Sequence, residues 1–450
     1  MAVLFGTDGV RGVANKELTP RLCYAIGRAG AHALARKTGQ APVVLIGTDT
    51  RKSAFMLCAA LSAGVCSVGG GVLLAGVIPT PGIAYLTRHY GCTSGVMISA
   101  SHNSFEDNGV KFFDSSGYKL PDETEAEIED FIFNRMDEIH SPAGEKVGTG
   151  EHRDAKCLED YENFLLGTAP GLNLAGLSVV VDCANGATSK TAAEVLARLG
   201  AKLTVLNNQP DGLNINRDCG STHMTQIMET VKALRADCGI AFDGDGDRCH
   251  FTDENGKLLD GDEIMALCAA HLKAAGKLKS DTLVATVMSN LGLFKMGEAS
   301  GLNIEQTAVG DRYVLERMLS GGFSLGGEKS GHIIFLDHNT TGDGLLTALQ
   351  VLKIMKERGR PLSELNTLKL FPQVLINAPV KNENKSKALE HAAVFSAYTD
   401  LCAKLAGRGR VLVRPSGTER YVRVMLEGED EAEIEREARA LAELITSKLN

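Results

Sequence analysis

The stretch GIAFDGDGDRCHFTD, residues 239 to 253, decides the fold class of this chain. A short apolar run of strand length ends abruptly in three aspartates that alternate with glycines, and a second strand-like run follows. A buried strand that leads straight into a polar loop is typical of α/β sheets, in which ligands bind at the carboxyl ends of the strands.

The same pattern occurs three times. Each region opens with a strand that ends in a polar turn, as in PVVLIGTDTR (42–51), LSVVVDCANGA (177–187) and TLVATVMSN (282–290). Each then offers a second strand that runs into a glycine-rich or polar loop, as in GVMISASHN (95–103), GIAFDGDGDR (239–248) and FSLGGEKSGH (323–332). The repeat predicts three related mixed α/β domains, each of which contributes one loop.

The remaining tail has a different pattern. Alternating strands surround RPSGTER (414–420), and the charged segment 429–449 places Ile434, Ala438, Leu441 and Ile445 on one helical face. This predicts a smaller α+β domain. Turn-rich segments at 141–154, 252–263 and 357–373 suggest the domain ranges 1–150, 151–252, 253–367 and 368–450.

Composition excludes several classes of function. The chain has 450 residues, 44% of them hydrophobic, and a formal charge of −9, which argues against nucleic acid or an anionic membrane as the main partner. Its eleven cysteines form no Cys-x-x-Cys pair, a pattern that fits reduced thiols in the cytoplasm. No signal peptide is expected at the N-terminus. The segment 53–87 carries no charge, but its central glycines favour a buried helix, a turn and a buried strand over a membrane span.

The aspartate loop predicts a site for a hard cation. Asp243, Asp245 and Asp247 would repel one another without a cation, and Mg²⁺ prefers such oxygen ligands. Gly244 and Gly246 are expected to let the backbone curl so that the carboxylates converge. A calcium-binding EF-hand is the alternative, but Arg248 stands where that loop needs glycine, and the flanks look like strands.

Two other loops carry candidate groups for catalysis. Ser101 follows a buried strand and is placed to act as a nucleophile or a phosphate carrier, with Lys111 as a candidate general acid or base. His102 leaves a serine hydrolase open as an alternative, although adjacent side chains of extended backbone point in opposite directions. Glu328, Ser330 and His332 alternate, and in extended backbone they would share one face suited to a sugar.

The loop RPSGTER completes the set of candidate groups. Its Arg414, with the hydroxyl groups of Ser416 and Thr418 around Gly417, is suited to holding a phosphate group, and Arg423 is expected to reach the same face.

Taken together, GTDGVRG, ASHN, DNGVKFF, DGDGDR, GEKSGH and RPSGTE resemble the motifs of the α-D-phosphohexomutases, in the same order and over the whole chain. The segments GTDGVRG, VGDRYV (309–314) and RVMLE are most similar to the bacterial branch of that family that acts on glucosamine phosphate. The resemblance implies three α/β domains and a fourth α+β domain around a central cleft. It also implies an intramolecular phosphotransferase, with a serine that carries the phosphate.

The resemblance implies a role for each motif residue. Ser101 would be the phosphoserine, Lys111 the general acid/base and Arg11 a support for the transferring phosphoryl group. One Mg²⁺ per chain would bind Ser101 phosphate, Asp243, Asp245 and Asp247. The implied substrate-binding residues are Arg248, Glu328, Ser330, His332, Arg414, Ser416, Gly417, Thr418 and Arg423.

The implied reaction interconverts glucosamine 6-phosphate and glucosamine 1-phosphate through a glucosamine 1,6-bisphosphate intermediate, and it supplies UDP-N-acetylglucosamine synthesis. A phosphomannomutase or phosphoglucomutase with the same mechanism is the nearest alternative. A serine hydrolase and a non-catalytic protein that binds calcium or sugar phosphate are the alternatives outside the family. The expected partner is a small phosphosugar, and a homodimer is left open.

Three residues depart from the family motifs: Ser104 and Arg420 replace prolines, and Lys329 replaces the usual glutamine or methionine. A lysine that pointed into the site would repel the amine of glucosamine phosphate. We therefore expect Lys329 to point away from the sugar.

Overall fold

A computed structural model describes residues 4–6, 9–39, 41–416 and 420–450 of the chain. Two compact units are present. The first comprises Met1–Met288 and Asn303–Thr367, and the second comprises Ser289–Leu302 and Leu368–Asn450. Within these described ranges the first unit contains three separate sheets, and the second contains one.

The first sheet and its helices are formed by β1 (Val10–Val13), α1 (Pro20–Thr38), β2 (Val43–Thr48), α2 (Ala54–Cys66), β3 (Gly71–Val77), α3 (Thr80–His89), β4 (Ser94–Ile98), β5 (Asp107–Asp114), α4 (Asp122–Asn134) and β6 (Gly150–His152). The strand order is β1-β5-β4-β2-β3-β6. Strands β4, β2, β3 and β6 are parallel, whereas β5 is antiparallel to both of its neighbours.

The second sheet and its helices are formed by α5 (Asp154–Thr168), β7 (Ser178–Asp182), α6 (Thr191–Arg198), β8 (Lys202–Leu206), α7 (Thr225–Leu234), β9 (Cys238–Phe242), β10 (Cys249–Asp253) and β11 (Leu258–Leu259). The strand order is β11-β10-β9-β7-β8. The strands β9, β7 and β8 are parallel, with β8 at the edge of the sheet, and β10 runs antiparallel beside β9.

The following segment contains α8 (Gly261–Ala274), β12 (Thr282–Thr286), α9 (Leu291–Ser300), β13 (Asn303–Thr307), α10 (Asp311–Gly321), β14 (Leu325–Gly327), β15 (Ile333–Phe335), α11 (Gly344–Arg358) and α12 (Leu362–Leu365). Its sheet has the order β13-β12-β14-β15, in which only the last pair is antiparallel. Helix α9 belongs to the second unit, where Leu291 N donates to Glu427 Oε2 at 3.1 Å.

The three sheets share one local plan, which confirms the predicted repeat. In each of them the first strand of the repeat pairs in parallel with the first strand of an antiparallel hairpin: β2 with β4, β7 with β9, and β12 with β14. The connections inside the hairpins β4–β5, β9–β10 and β14–β15 are the three loops singled out in the sequence. The chain therefore has three related mixed α/β sheets, each with its chemical loop in an equivalent position.

The second unit is built on an antiparallel sheet of order β16-β18-β17 and confirms the predicted α+β tail. Its other elements are β16 (Gln373–Pro379), α13 (Ala392–Leu405), β17 (Gly409–Pro415), β18 (Tyr421–Gly428) and α14 (Glu431–Leu449). Helix α14 buries the predicted face of Ile434, Ala438, Leu441 and Ile445 in the core of this unit.

The uncharged segment 53–87 has the predicted form as far as residue 77, where it contains α2, a turn in which Gly69 adopts a φ of 82°, and β3. Residues 80–87 belong to a second helix, α3, which was not predicted. Among the described residues no helix is long and apolar enough to cross a membrane.

The predicted domain ranges differ from the observed sheets at one point and from the compact units at another. Strand β11, which pairs with β10, lies beyond position 252, because the turn at 253–257 reverses the chain within the second sheet. Residues 289–302 cluster with the C-terminal unit. There the Asn290 side chain donates a hydrogen bond to the Phe371 carbonyl oxygen and accepts one from Phe371 N. The predicted domain boundaries remain predictions.

Candidate active site

In the first unit the aspartate loop contacts the other two hairpin loops. The loop after β4 meets the loop after β9 where Ser101 Oγ donates to Asp243 Oδ2 at 2.6 Å. The loop after β14 meets the same aspartate loop where His332 Nδ1 lies 3.4 Å from Asp247 Oδ2. Equivalent positions of three sheets thus place a serine, a carboxylate cluster and a polar turn side by side.

Ser101 is held in a conformation that non-glycine residues adopt only rarely. Its φ is 50°, in the left-handed region, and the side chain is 1% exposed. Its backbone N–H donates to Ser99 Oγ at 2.9 Å. Its carbonyl oxygen accepts from Arg51 Nη2 at 3.0 Å and from Asn216 Nδ2 at 2.9 Å. A strained residue that is restrained on all sides is a frequent feature of functional sites.

Arg51 and Asn216 were not identified from the sequence. Buried Arg51 forms an ion pair with Asp49 and also donates to the carbonyl oxygen of Asn103 at 2.6 Å. Asn216 donates to the same Asn103 carbonyl at 3.0 Å. The turn GTDTR at the end of β2 was the available signal for Arg51, because it occupies the strand-end position of the repeat.

The three aspartates converge as predicted. One carboxylate oxygen from each of Asp243, Asp245 and Asp247 lies within 4.8 Å of the other two, and all three residues are buried. Gly246 supplies a left-handed turn with a φ of 72°. Gly244 acts differently from the expected curl, because a Cβ there would lie 2.6 Å from the Ser101 carbonyl oxygen. Its lack of a side chain permits the close approach of the two loops.

Burial, together with the neighbouring carboxylates of Asp247 and Asp245, raises the pKa of Asp243 well above its ordinary value. Oδ1 of Asp247 is buried and accepts no hydrogen bond from the described residues. These features fit a Mg²⁺ ion, which takes carboxylate oxygens and keeps further positions for water or phosphate. They do not fit an EF-hand, because the flanking elements are strands β9 and β10.

Lys111 is the buried cation beside this cluster. It lies on β5 and is 2% exposed, and its Nζ is 3.0 Å from Asp245 Oδ2 and 4.0 Å from Asp247 Oδ2. Thr80 Oγ1 donates to Asp245 Oδ2 at 2.6 Å, a contact that was also missed in the sequence. The structure thus brings Lys111 to the same cluster of carboxylates as Ser101, although the two side chains contact different members of it.

His102 does not activate Ser101. Its Nδ1 lies 3.3 Å from Arg248 Nη1, whereas the Ser101 hydroxyl is bonded to Asp243. Burial, followed by Arg248 and Arg11, lowers the pKa of His102 to about 4. The residues therefore lack the serine–histidine hydrogen bond that a hydrolase needs. From the sequence, the Ser101 and His102 side chains were expected to point in opposite directions along extended backbone. That reason was wrong, because this loop is a turn and not extended backbone.

The predicted extended face at 328–332 was also wrong. Gly331 N donates to the Glu328 carbonyl, and Glu328 N donates to the His332 carbonyl, each at 3.0 Å, so the segment is a tight turn between β14 and β15. Glu328 Oε1 accepts from Gly310 N at 3.1 Å, and Ser330 Oγ is buried without a hydrogen-bond partner among the described residues. His332 is buried, and Gly342 N donates to its Nε2 at 3.0 Å. Because these hydrogen bonds close a turn, the alternation of Glu328, Ser330 and His332 in the sequence does not place their side chains on one extended face.

Two further predicted residues, Arg11 and Arg248, lie near the Ser101 loop. Arg11 is exposed on β1, directly opposite Gly109 of β5. Arg248 closes the aspartate loop, and its Nε lies 3.7 Å from Asp247 Oδ1. Both arginines lower the pKa of His102, which places their charges near the Ser101 loop.

The candidate phosphate loop belongs to the second unit. Arg414 on β17 lies directly opposite Arg423 on β18, and Ser416 N donates to the Tyr421 carbonyl at 2.9 Å. Burial and then Arg423 lower the pKa of Arg414. Like charges directly opposite each other destabilise a sheet, so this pair favours an anion as its counter-charge. Gly417 and Thr418 lie outside the described residues.

The first unit therefore combines a buried serine hydroxyl, a buried lysine and a site for a divalent cation, which is the equipment of metal-assisted phosphoryl transfer. Sequence models of four domains match the chain. They are phosphoglucomutase/phosphomannomutase alpha/beta/alpha domain I (residues 2–138), alpha/beta/alpha domain II (162–256), alpha/beta/alpha domain III (260–370) and the C-terminal domain (375–444).

Curated relatives agree over the full length. The chain is 54% identical over 451 residues to the phosphoglucosamine mutase of Ruminiclostridium cellulolyticum, and 53% identical over 452 residues to that of Caldicellulosiruptor bescii. Each match covers 100% of both chains. The chain belongs to the phosphoglucomutase/phosphomannomutase family, and it is an isomerase of the phosphohexomutase type.

Solved structures show the same fold. A phosphoglucomutase/phosphomannomutase family protein from Burkholderia thailandensis matches with a TM-score of 0.84 at 24% identity, covering 100% of this chain and 98% of that one. The N-acetylphosphoglucosamine mutase of Aspergillus fumigatus, solved in complex with GlcNAc-6P and magnesium, matches with a TM-score of 0.71 at 19% identity. That match covers 99% of this chain and 95% of the fungal one.

Proposed function

We propose that this protein interconverts glucosamine 6-phosphate and glucosamine 1-phosphate. The observation that carries the proposal is the contact of the buried Ser101 hydroxyl with Asp243, inside a cluster of three carboxylates. The names of the relatives at 54% and 53% identity support glucosamine phosphate as the substrate. The product would serve UDP-N-acetylglucosamine synthesis.

In the proposed reaction, Ser101 carries a phosphoryl group on Oγ and transfers it to the free hydroxyl of the bound sugar phosphate. The resulting glucosamine 1,6-bisphosphate reorients and returns its other phosphoryl group to Ser101 Oγ. Magnesium, held by Asp243, Asp245 and Asp247, would neutralise charge on the transferring group. The number of phosphoryl groups on the enzyme is unchanged after one turnover.

Lys111 is the proposed proton carrier. Its Nζ is fixed beside Asp245 and Asp247, so it can exchange a proton with the sugar hydroxyl that attacks the phosphoserine. Arg11 is proposed to neutralise phosphoryl oxygens, since its charge is close enough to the Ser101 loop to contribute to the lowered pKa of His102.

We propose that the sugar is held by Glu328, Ser330 and Arg248. The buried Ser330 hydroxyl offers one hydrogen bond, because it makes none within the described residues. His332 stays in the proposed site, but its contact with Asp247 favours support of the carboxylate cluster. The nonreacting phosphate is proposed to bind Arg414, Ser416, Gly417, Thr418 and Arg423.

Intact mass spectrometry tests the phosphoserine. The purified protein should carry one phosphate, which an excess of glucosamine 6-phosphate reduces in amount. Ser101→Ala should lack the phosphate and lose mutase activity, whereas Ser104→Ala in the same loop should keep both. A Ser101→Ala protein with near-normal turnover would contradict the mechanism. Parallel assays with glucose and mannose phosphates test the neutral-hexose alternative.

The remaining partner expectations are also proposals. We expect a cytoplasmic enzyme that binds neither nucleic acid nor membrane, which the eleven free cysteines and the acidic composition support.

We also propose a homodimer formed through α2. This helix carries no charged residue, and its Phe55 is 85% exposed, so two copies of the face can meet without opposing like charges. Phe55→Glu should shift a dimer to monomer in light scattering, whereas Phe133→Glu, at another exposed phenylalanine, should not. A wild-type monomer, or a Phe55→Glu dimer, would refute this surface.

A further inference from the structure

Lys329 places a positive charge directly after Glu328, in the loop proposed to hold the sugar. Glucosamine phosphate carries an ammonium group near neutral pH, so a lysine amine facing the sugar would repel it. A neutral hexose phosphate would feel no such repulsion. The position of this one side chain therefore bears on which substrate the enzyme prefers.

The turn that carries Lys329 packs tightly on the start of α8. Gly261 N donates to the Lys329 carbonyl oxygen at 3.0 Å, and His250 Nε2 lies 3.2 Å from the same oxygen. A Cβ at Gly261 would lie 2.1 Å from the Glu328 carbonyl oxygen, so only glycine fits here. The main chain of Lys329 is consequently fixed against α8.

Asp260 is the residue that immediately precedes α8, and its two carboxylate oxygens have separate tasks. Oδ1 accepts from Asp262 N at 3.0 Å and from Glu263 N at 3.3 Å, which makes Asp260 the N-cap of the helix. Oδ2 lies 3.7 Å from Lys329 Nζ. The Glu263 side chain accepts from Asp260 N at 3.0 Å and completes a capping box. The Asp260 carboxylate is therefore fixed by the start of α8, independently of its contact with Lys329.

We propose that Asp260 is a specificity-determining residue. By forming an ion pair with Lys329 it draws the ammonium group of this lysine toward α8, so that the loop at 328–332 can accept an amino sugar. The inference rests on the proposed function, because it assumes that Glu328 and its loop face the sugar. Asp260 itself is a positioning residue, since it acts on the substrate only through Lys329.

The test compares kcat/KM for glucosamine 6-phosphate with kcat/KM for glucose 6-phosphate, each assayed with a catalytic amount of its 1,6-bisphosphate. Asp260→Asn keeps a good N-cap but removes the charge that holds Lys329. We expect the ratio to fall about 3- to 10-fold, the effect of freeing one unit charge a few ångströms from the substrate amine. The loss should shrink at high salt.

Lys329→Gln supplies the rescue. The double variant Asp260→Asn with Lys329→Gln should recover the wild-type ratio, because no freed lysine remains. Asp260→Ser, a second variant that retains capping, should repeat the Asp260→Asn result if the latter folds poorly. Asp430→Asn, which changes the N-cap of α14, should leave the ratio unaltered.

A purely structural role for Asp260 predicts a different outcome. It would lower kcat/KM for both substrates alike, and Lys329→Gln would not rescue it. An unchanged ratio in Asp260→Asn overturns the inference while the glucosamine assignment stands. A wild-type enzyme that prefers glucose 6-phosphate overturns the proposed substrate itself.

Discussion

Replacing Asp243 with asparagine should stabilise the protein in chelator while abolishing most of its activity. Charges on carboxylate oxygens within 4.8 Å of one another repel by at least about 3.5 kcal/mol at an effective dielectric constant of about 20. Asp243 faces two such neighbours, and the positive charges of Lys111 and Arg248 offset part of the repulsion. Asparagine can still accept from Arg248 N through its oxygen, and its amide nitrogen can donate to Ser101 Oγ in place of the present Ser101-to-Asp243 hydrogen bond. We expect a net gain of about 2 kcal/mol in the free energy of unfolding.

The assay is denaturant unfolding of wild type and Asp243→Asn, in EDTA and in millimolar Mg²⁺. In EDTA the variant should be more stable; in Mg²⁺ the wild type should gain more than the variant, because the ion binds the three-carboxylate site of the folded state. Asp182→Asn is the control. Asp182 is buried at the end of β7 and accepts from Ala184 N and Gly220 N, so its loss should destabilise the protein equally with and without Mg²⁺.

An Asp243→Asn protein that is less stable than wild type in EDTA would refute the electrostatic argument. It would mean that the cluster is satisfied by its protein neighbours and has no need of a cation. Equal Mg²⁺ responses in the two proteins would refute the assignment of Asp243 as a ligand. Both results are read from unfolding and so do not depend on an activity assay.

Two further predictions follow from buried groups near the site. Arg51→Lys should lower kcat about 10- to 100-fold, because lysine keeps a charge beside Asp49 but cannot hold the Ser101 and Asn103 carbonyls together. The Mg²⁺-dependent stabilisation should persist in this variant. An unaltered kcat in steady-state assays would contradict this role of Arg51. Burial raises the pKa of Asp343 to about 6, so its protonated form favours the folded state, and this contribution is lost as pH rises through about 6. The stability of wild type relative to Asp343→Asn should therefore fall by about 3 kcal/mol between pH 4 and 7 in denaturant titrations, and a flat difference would show that the pKa is not raised.

Much of the fold could be predicted from the sequence because the pattern repeats. Apolar runs that end in polar turns placed β2, β7 and β12, and the second run of each region placed the first strand of a hairpin. What the pattern could not supply was the compact grouping of residues 289–302 with the C-terminal unit. That grouping depends on contacts such as Asn290 with Phe371, which are remote in sequence.

The candidate site was predictable to the extent that its residues occupy strand ends. Ser101, the aspartates and Lys111 lie together as expected, since local sequence marks each of them. Asn216 could not be found in this way, because it lies outside the repeat and acts through a carbonyl in another loop. The face at 328–332 failed because alternation has meaning only in extended backbone, and two hydrogen bonds close this segment into a turn.

The equivalence of the three hairpin loops explains how charges that destabilise the fold can be kept. Each loop is a short connection anchored by two paired strands, so the backbone has little freedom to carry a carboxylate away from its neighbours. The aspartate loop is held further by Gly344 N, which donates to the Gly246 carbonyl at 3.1 Å, and by Thr80 N, which donates to the Asp245 carbonyl at 2.9 Å. A repulsive cluster on a flexible loop would disperse and bind a cation only after reordering. Because strands and helix N-termini hold the three carboxylates together, the site needs no reordering before the ion binds. The ion then relieves the repulsion among the carboxylates, and this relief contributes to the affinity of the site for the ion.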